Sequence, residues 1–255
     1  MPSLASLYKC PPTFYCPDLG MTTYKGNFCD PGYVCPAGSS SKTQVECPEG
    51  TYSDRRDLLD PRHCEMCPKG FSCQTHSTTT NSRIVVCPNN RYCPDGTKAA
   101  AIPICPAGTY APFTTAKSEY DCLPCPAGKY CENLNDSGPV DCPKGHYCPP
   151  GTQFVDQFPC PVGKYNDLLA QKSINECLHC GFGNYCPDTG CIAATLCPKG
   201  TYNSESTTAG YCTVCEAGYY CAATRVYKEP CPIGFYSERG MDYCYACPIG
   251  TYCPN

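Results

Sequence analysis

Five Cys-x-x-Cys pairs offer the most overt chemistry in this sequence: Cys64/Cys67, Cys122/Cys125, Cys177/Cys180, Cys212/Cys215 and Cys244/Cys247. Paired thiolates at this spacing hold zinc or run thiol–disulfide exchange. Zinc, however, needs two such pairs about 15–20 residues apart, or partner histidines at set spacing. Here successive pairs are at least 29 residues apart, and each is followed by a further cysteine, at Cys73, Cys131, Cys186, Cys221 and Cys253. The four histidines, His63, His76, His146 and His179, sit at unrelated positions, and only His63 and His179 touch a Cys-x-x-Cys. A cysteine nucleophile needs a free thiolate oriented by a base in a rigid cleft. Cysteines committed to bridges supply none, so the expectation is a structural disulfide frame with no catalytic residue, no metal site and no cofactor. No Gly-rich phosphate loop, paired-carboxylate constellation or calcium loop is present.

The composition favours the same reading. Cysteine supplies 29 of 255 residues, far above the globular norm and typical of scaffolds held by cross-links in an oxidising compartment. The hydrophobic share of 42% is inflated by 29 Cys and 21 Tyr, with no Trp, eight Phe and four Met, so one large aliphatic core is not expected. With 28 Pro and 22 Gly and no sustained helical period, the chain should form small disulfide-rich repeats of turns and short β-hairpins with very little helix. A net charge of −4 without a dense basic run argues against nucleic acid as a partner. No stretch of about 18 apolar residues spans a membrane. Residues 1–8 lack the pattern of a signal peptide, so the expectation is a processed or partial segment of a longer secreted chain.

The cysteines must be positioned by a repeat. The phrase Cys-Pro-x-Gly-x-Tyr occurs eight times, beginning at Cys47, Cys105, Cys125, Cys142, Cys160, Cys197, Cys231 and Cys247. With cysteines lettered a to f from Cys47, gaps of 16, 2, 5, 13 and 5 residues lead through Cys64, Cys67, Cys73 and Cys87 to Cys93. The unit from Cys105 repeats this with gaps of 16, 2, 5, 10 and 5, which marks tandem duplication. The unit at Cys160 carries only Cys191 after its d cysteine, and those at Cys197 and Cys231 stop at d. Cys10, Cys16, Cys29 and Cys35 match c to f. The expected divisions are 1–46, 47–104, 105–159, 160–196, 197–230 and 231–255.

Pro at the second place and Gly at the fourth suit a type I turn just after a cross-linked residue, and Tyr two places later adds an aromatic body with a polar tip. A disulfide closing the loop after a contributes about 3 kcal/mol in the chain-entropy model. Spacing leaves connectivity open. Pairing a to b with c to d is preferred because it closes the short and truncated units, giving Cys47–Cys64, Cys105–Cys122, Cys160–Cys177, Cys197–Cys212 and Cys231–Cys244. Pairing a to c with b to d is also self-contained, and a six-cysteine pattern of a to b, c to e and d to f fits the long units. Under the preferred scheme Cys191 is left over, unpaired or bonded to another chain.

A Cys-Pro-x-Gly-x-Tyr loop closing on Cys-x-x-Cys resembles the ephrin-receptor-like cysteine-rich repeat. The resemblance spans essentially the whole chain, best from Cys105-Pro-Ala-Gly-Thr-Tyr110 to Cys122-Leu-Pro-Cys125. The long units are also similar to tumour-necrosis-factor-receptor cysteine-rich domains, and a looser likeness links the Cys-x-x-Cys pairs to protozoan variant surface proteins. The resemblance implies an elongated, ladder-like rod. The extra cysteine after each Cys-x-x-Cys departs from the receptor pattern and its crossed pairing.

Asn135-Asp136-Ser137 is the sole standard N-glycosylation sequon, and Ser39–Ser41 and Ser77–Ser82 are polar runs suited to O-linked sugar. Lys129, Asn135, Ser77 to Thr80 and Gln153 are expected to face outward. The functional expectation is a structural segment of a secreted or cell-surface filament, stalk or coat that self-associates by repeat stacking and lateral contact. The alternative is a ligand-binding or adhesion ectodomain of a cell-surface receptor.

Overall fold

The recurring local element is a reverse turn that begins at the proline. In a computed structural model describing residues 8–132, 138–204, 210–222 and 226–253, the N–H of Thr51 donates to the Pro48 carbonyl at 3.1 Å, and Lys129 repeats this on Pro126 at 3.1 Å. Glycine is the third residue of this turn, with φ +86° at Gly50 and +84° at Gly128. That is type II geometry, whose second central residue must enter the left-handed region. The expected type I turn, with Pro second and Gly fourth, is therefore corrected by one residue. The same turn starts on Asp30, Gly181 and Glu216 where no proline follows the cysteine.

After most turns a two-residue strand pairs antiparallel with the residues just before the next cysteine, and after those at Cys10, Cys87 and Cys142 a single bridge takes its place. Thr51–Tyr52 pairs with Glu65–Met66, Lys164–Tyr165 with Leu178–His179, and Thr201–Tyr202 with Thr213–Val214. The hairpin closes when the next cysteine's N–H donates to the turn glycine, as Cys67 does to Gly50 at 2.9 Å and Cys142 to Gly128 at 2.8 Å. A longer ladder of three pairs joins Phe71–Cys73 to Ile84–Val86. Single 3₁₀ turns at Pro61–His63, Glu119–Asp121 and Ile174–Glu176 lead into Cys64, Cys122 and Cys177. The Asp121 carboxylate accepts the N–H groups of Lys117 and Ser118, which hold its pKa below the ordinary value.

The structural period is finer than the duplicated units. Cys10, Cys29, Cys47, Cys67, Cys87, Cys105, Cys125, Cys142, Cys160, Cys180, Cys197, Cys215, Cys231 and Cys247 each open one turn, 16 to 20 residues after the last. The long units at Cys47 and Cys105 hold three such turns, and those at Cys160, Cys197 and Cys231 hold two. The chain divides into two compact units, Met1–Leu123 with Asn133–Gly138, and Pro124–Glu132 with Pro139–Asn255. In each the core is mainly sulfur. Cys47, Cys67, Cys87, Cys125, Cys142, Cys160 and Cys197 are wholly buried, with small clusters such as Val34, Cys47, Leu58 and Cys64 around them. Cross-links thus stand where so small a unit lacks aliphatic surface to bury. No helix among the described residues is long and apolar enough to cross a membrane.

Candidate functional site

Every opening cysteine is bonded within its own turn. Five turns close by a long loop, Cys47–Cys64, Cys105–Cys122, Cys160–Cys177, Cys197–Cys212 and Cys231–Cys244. The others close as seven-residue rings: Cys10–Cys16, Cys29–Cys35, Cys67–Cys73, Cys87–Cys93, Cys125–Cys131, Cys142–Cys148, Cys180–Cys186, Cys215–Cys221 and Cys247–Cys253. Both kinds hold their Cα atoms about 6 Å apart, for example 5.9 Å at Cys47–Cys64 and 5.7 Å at Cys67–Cys73, inside the normal disulfide range. Among the described residues no group of three or more His, Cys, Asp and Glu is placed to hold a metal ion.

The sixth residue after the opening cysteine decides between the two closures, and sequence reasoning missed it. In a ring turn it is the partner cysteine. In a long-loop turn it is Ser53, Ala111, Asn166, Asn203 or Ser237, all buried. Three of these polar residues bond to the preceding turn. Asn166 Nδ2 donates to the His146 carbonyl at 2.9 Å, Asn203 Nδ2 to that of Asn184 at 2.8 Å, and Ser237 Oγ to that of Tyr219 at 2.7 Å. These three carbonyls occupy one repeat position, four residues after Cys142, Cys180 and Cys215. The available signal was a small residue at that offset in each turn whose ring cysteine is missing.

Within each unit, successive turns meet through three backbone ladders. The turn glycine's N–H donates to the carbonyl of that sixth residue in the next turn: Gly50 to Cys73 at 3.0 Å, Gly128 to Cys148 at 2.8 Å, Gly163 to Cys186 at 3.0 Å. The sixth residue's own N–H reaches a loop further along the next turn, as from Cys73 to Thr97 and from Cys131 to Thr152, both at 3.0 Å. That loop returns an N–H to the opening cysteine, from Gly96 to Cys67 and from Gly151 to Cys125, both at 2.8 Å. The same loop residue often donates its side chain three residues back, Ser39 Oγ to Pro36, Thr97 Oγ1 to Pro94 and Thr152 Oγ1 to Pro149 at 2.6–2.7 Å.

Cys191 takes this loop position. It has no disulfide partner, its Sγ donates to the Asp188 carbonyl at 3.2 Å, and its own carbonyl accepts the Asn166 N–H at 3.0 Å. Its thiol therefore stands where other turns place a Ser or Thr hydroxyl. The same position corrects the expected outward-facing runs. Ser39 and Ser77 are buried, because the loop hydroxyl bonds inward, and Thr78 is buried with its hydroxyl against that of Thr80, whereas Thr79 and Thr80 are exposed. Gln153 is exposed, and Lys129 is half-buried and ion-paired to Asp141. Asn135 lies outside the described residues.

These features define a class: the chain is a tandem array of cysteine-rich repeats, each closed by its own disulfide, of an extracellular kind. No family model matches it. It is similar to laminin subunit gamma-2 of Equus caballus, 31% identical over 121 residues, covering 46% of this chain and 9% of that protein. Laminin subunit gamma-1 of Danio rerio is 27% identical over 195 residues, covering 73% and 11%. The sushi, von Willebrand factor type A, EGF and pentraxin domain-containing protein 1 of Rattus norvegicus is 29% identical over 192 residues, covering 67% and 5%. The chain thus spans about a tenth or less of the length of these relatives.

Proposed function

We propose that the chain is a non-catalytic structural segment of an extracellular filament, stalk or coat, built from ephrin-receptor-like repeats that extend by stacking and associate laterally with further copies. The observation that carries this reading is the backbone ladder that recurs between successive turns within each unit, the kind of contact by which a repeat array extends in one dimension. The similarity to laminin gamma subunits supports a structural extracellular role. Glycan on Asn135 and multivalent loop contacts, each weak and strong in aggregate, complete the proposal. Electron microscopy of the native material tests it. Thin fibres or a surface coat are expected, and dispersed monomers that turn over a small substrate would overturn it.

A further inference from the structure

Among the described residues, tyrosine rings touch one another at one place, the hairpin of Phe235–Tyr236 with Tyr245–Ala246. In other hairpins the motif tyrosine faces a carboxylate across the register: the Tyr52 hydroxyl donates to Glu65 at 3.0 Å and that of Tyr220 to Glu229 at 2.6 Å. Opposite Tyr236 that place belongs to Tyr245. Two residues earlier, just before the closing cysteine, Tyr243 stands where other turns carry His63, Asp121 or Glu176. The two rings lie edge to face, with centroids 4.6 Å apart and planes at 62°, and their hydroxyls are hydrogen-bonded to each other. Tyr236 backs Tyr245 from across the hairpin at 5.9 Å. Tyr243 is 49% and Tyr245 39% exposed. Glu65, Leu123, Leu178 and Thr213, at the repeat position of Tyr245, are also exposed in turns that have neighbours before and after them, so this exposure belongs to the position. Tyr211 occupies the place of Tyr243 two turns earlier, but beside it the partner's place is held by Thr213.

We propose that Tyr243 and Tyr245 form a site of oxidative phenol coupling, joined into a dityrosine by a peroxidase-class enzyme with hydrogen peroxide. Each ring gives up one electron and its hydroxyl proton, becoming a phenoxyl radical whose unpaired electron is shared with the carbons ortho to oxygen. A carbon–carbon bond forms between one ortho carbon of each ring. The hydrogen on each of these carbons then moves to the oxygen and restores both phenols. The two electrons and two protons reduce the peroxide to two waters. The hydroxyl contact singles out this pair. An ortho carbon is bonded to the carbon that carries the oxygen, so hydroxyls in contact bring ortho carbons within reach. Holding the two reactants together also replaces a bimolecular encounter by a unimolecular step. The site is independent of the self-association reading.

Peroxidase and limiting hydrogen peroxide, added to the whole chain, test the proposal, with Cys191→Ser as the parent so that the thiol does not consume oxidant. After reduction and trypsin, both tyrosines lie in the peptide 240–255 and Tyr236 lies in 229–239. The expected product is peptide 240–255 short of two hydrogens, with dityrosine fluorescence and fragments that place the link between Tyr243 and Tyr245. Its yield per chain should not change on dilution. Tyr243→Phe and Tyr245→Phe should each lower the initial rate at least about tenfold, with an unchanged circular dichroism spectrum. Tyr120→Phe removes a ring that is 97% exposed but outside the cluster, and should leave the rate as it is. The peptide map decides the matter even where a variant fails to fold. A link to Tyr252, a product joining 229–239 to 240–255, coupling between chains that fades on dilution, or a parent rate kept by Tyr243→Phe would each overturn the proposal. So would a parent chain left uncoupled under conditions that couple free tyrosine.

Discussion

At single residues the fold is least tolerant where a turn glycine meets a carbonyl. Gly50→Ala and Gly128→Ala each combine a left-handed φ with a methyl group 2.5 Å from an oxygen, so each should cost about 2–4 kcal/mol by denaturant unfolding. Gly20→Ala, at φ +76° with open space, should cost only about 1 kcal/mol, the conformational part alone. Asn166→Ala removes two side-chain donor bonds and one acceptor bond at a buried position, and a loss of about 1–3 kcal/mol is expected. Cys191→Ser keeps a donor for the Asp188 carbonyl and should leave stability within about 0.5 kcal/mol, whereas Cys191→Val should cost more than the serine variant.

At the scale of the element, a long-loop turn and a ring turn differ in what their disulfide does. Removing Cys47–Cys64 with paired serines frees a loop whose ends are 17 residues apart, worth about 3 kcal/mol in the chain-entropy model. Hydrogen exchange should then rise first in the hairpin Thr51–Tyr52 with Glu65–Met66, and protection in the turn opened by Cys125 should stay as it was. The charges around these hairpins predict little pH dependence. Asp60, hydrogen-bonded by the Arg62 side chain and backbone, has its pKa held well below the ordinary value near 3.8. A depressed carboxylate contributes stability above its unfolded pKa and loses it as pH falls through the folded one, so the thermal midpoint should be flat from about pH 5 to 9 and decline only below about pH 4. Small disulfide-rich repeats with short hairpins were legible in the sequence, because Cys, Pro and Gly punctuate it at fixed offsets. The turn's phase was not legible, since Pro and Gly at those places satisfy more than one turn type. Nor was the buried sixth position, because Ser, Ala and Asn share size but no chemistry that marks them. The inward Ser39, Ser77 and Thr78 were hidden by polar runs whose hydroxyls find partners within the run itself, Ser39 and Ser77 on backbone carbonyls and Thr78 on the Thr80 hydroxyl.

Across the described residues, stability is distributed over closed turns around small buried clusters, and no single large core is found among them. Reduction should therefore collapse structure that heat or denaturant without reductant disturbs weakly, a contrast measurable by circular dichroism. A native spectrum surviving full reduction would show that packing, and not sulfur, holds the fold. The central claim is that each turn is sealed by its own opening cysteine before it stacks on the next. Peptide mapping under non-reducing conditions tests it most directly. The account predicts Cys47–Cys64, Cys67–Cys73 and Cys87–Cys93 in the first long unit, their counterparts from Cys105 to Cys148 in the second, and Cys191 recovered as a free thiol. Crossed bonds from Cys67 to Cys87 and from Cys73 to Cys93 would contradict it.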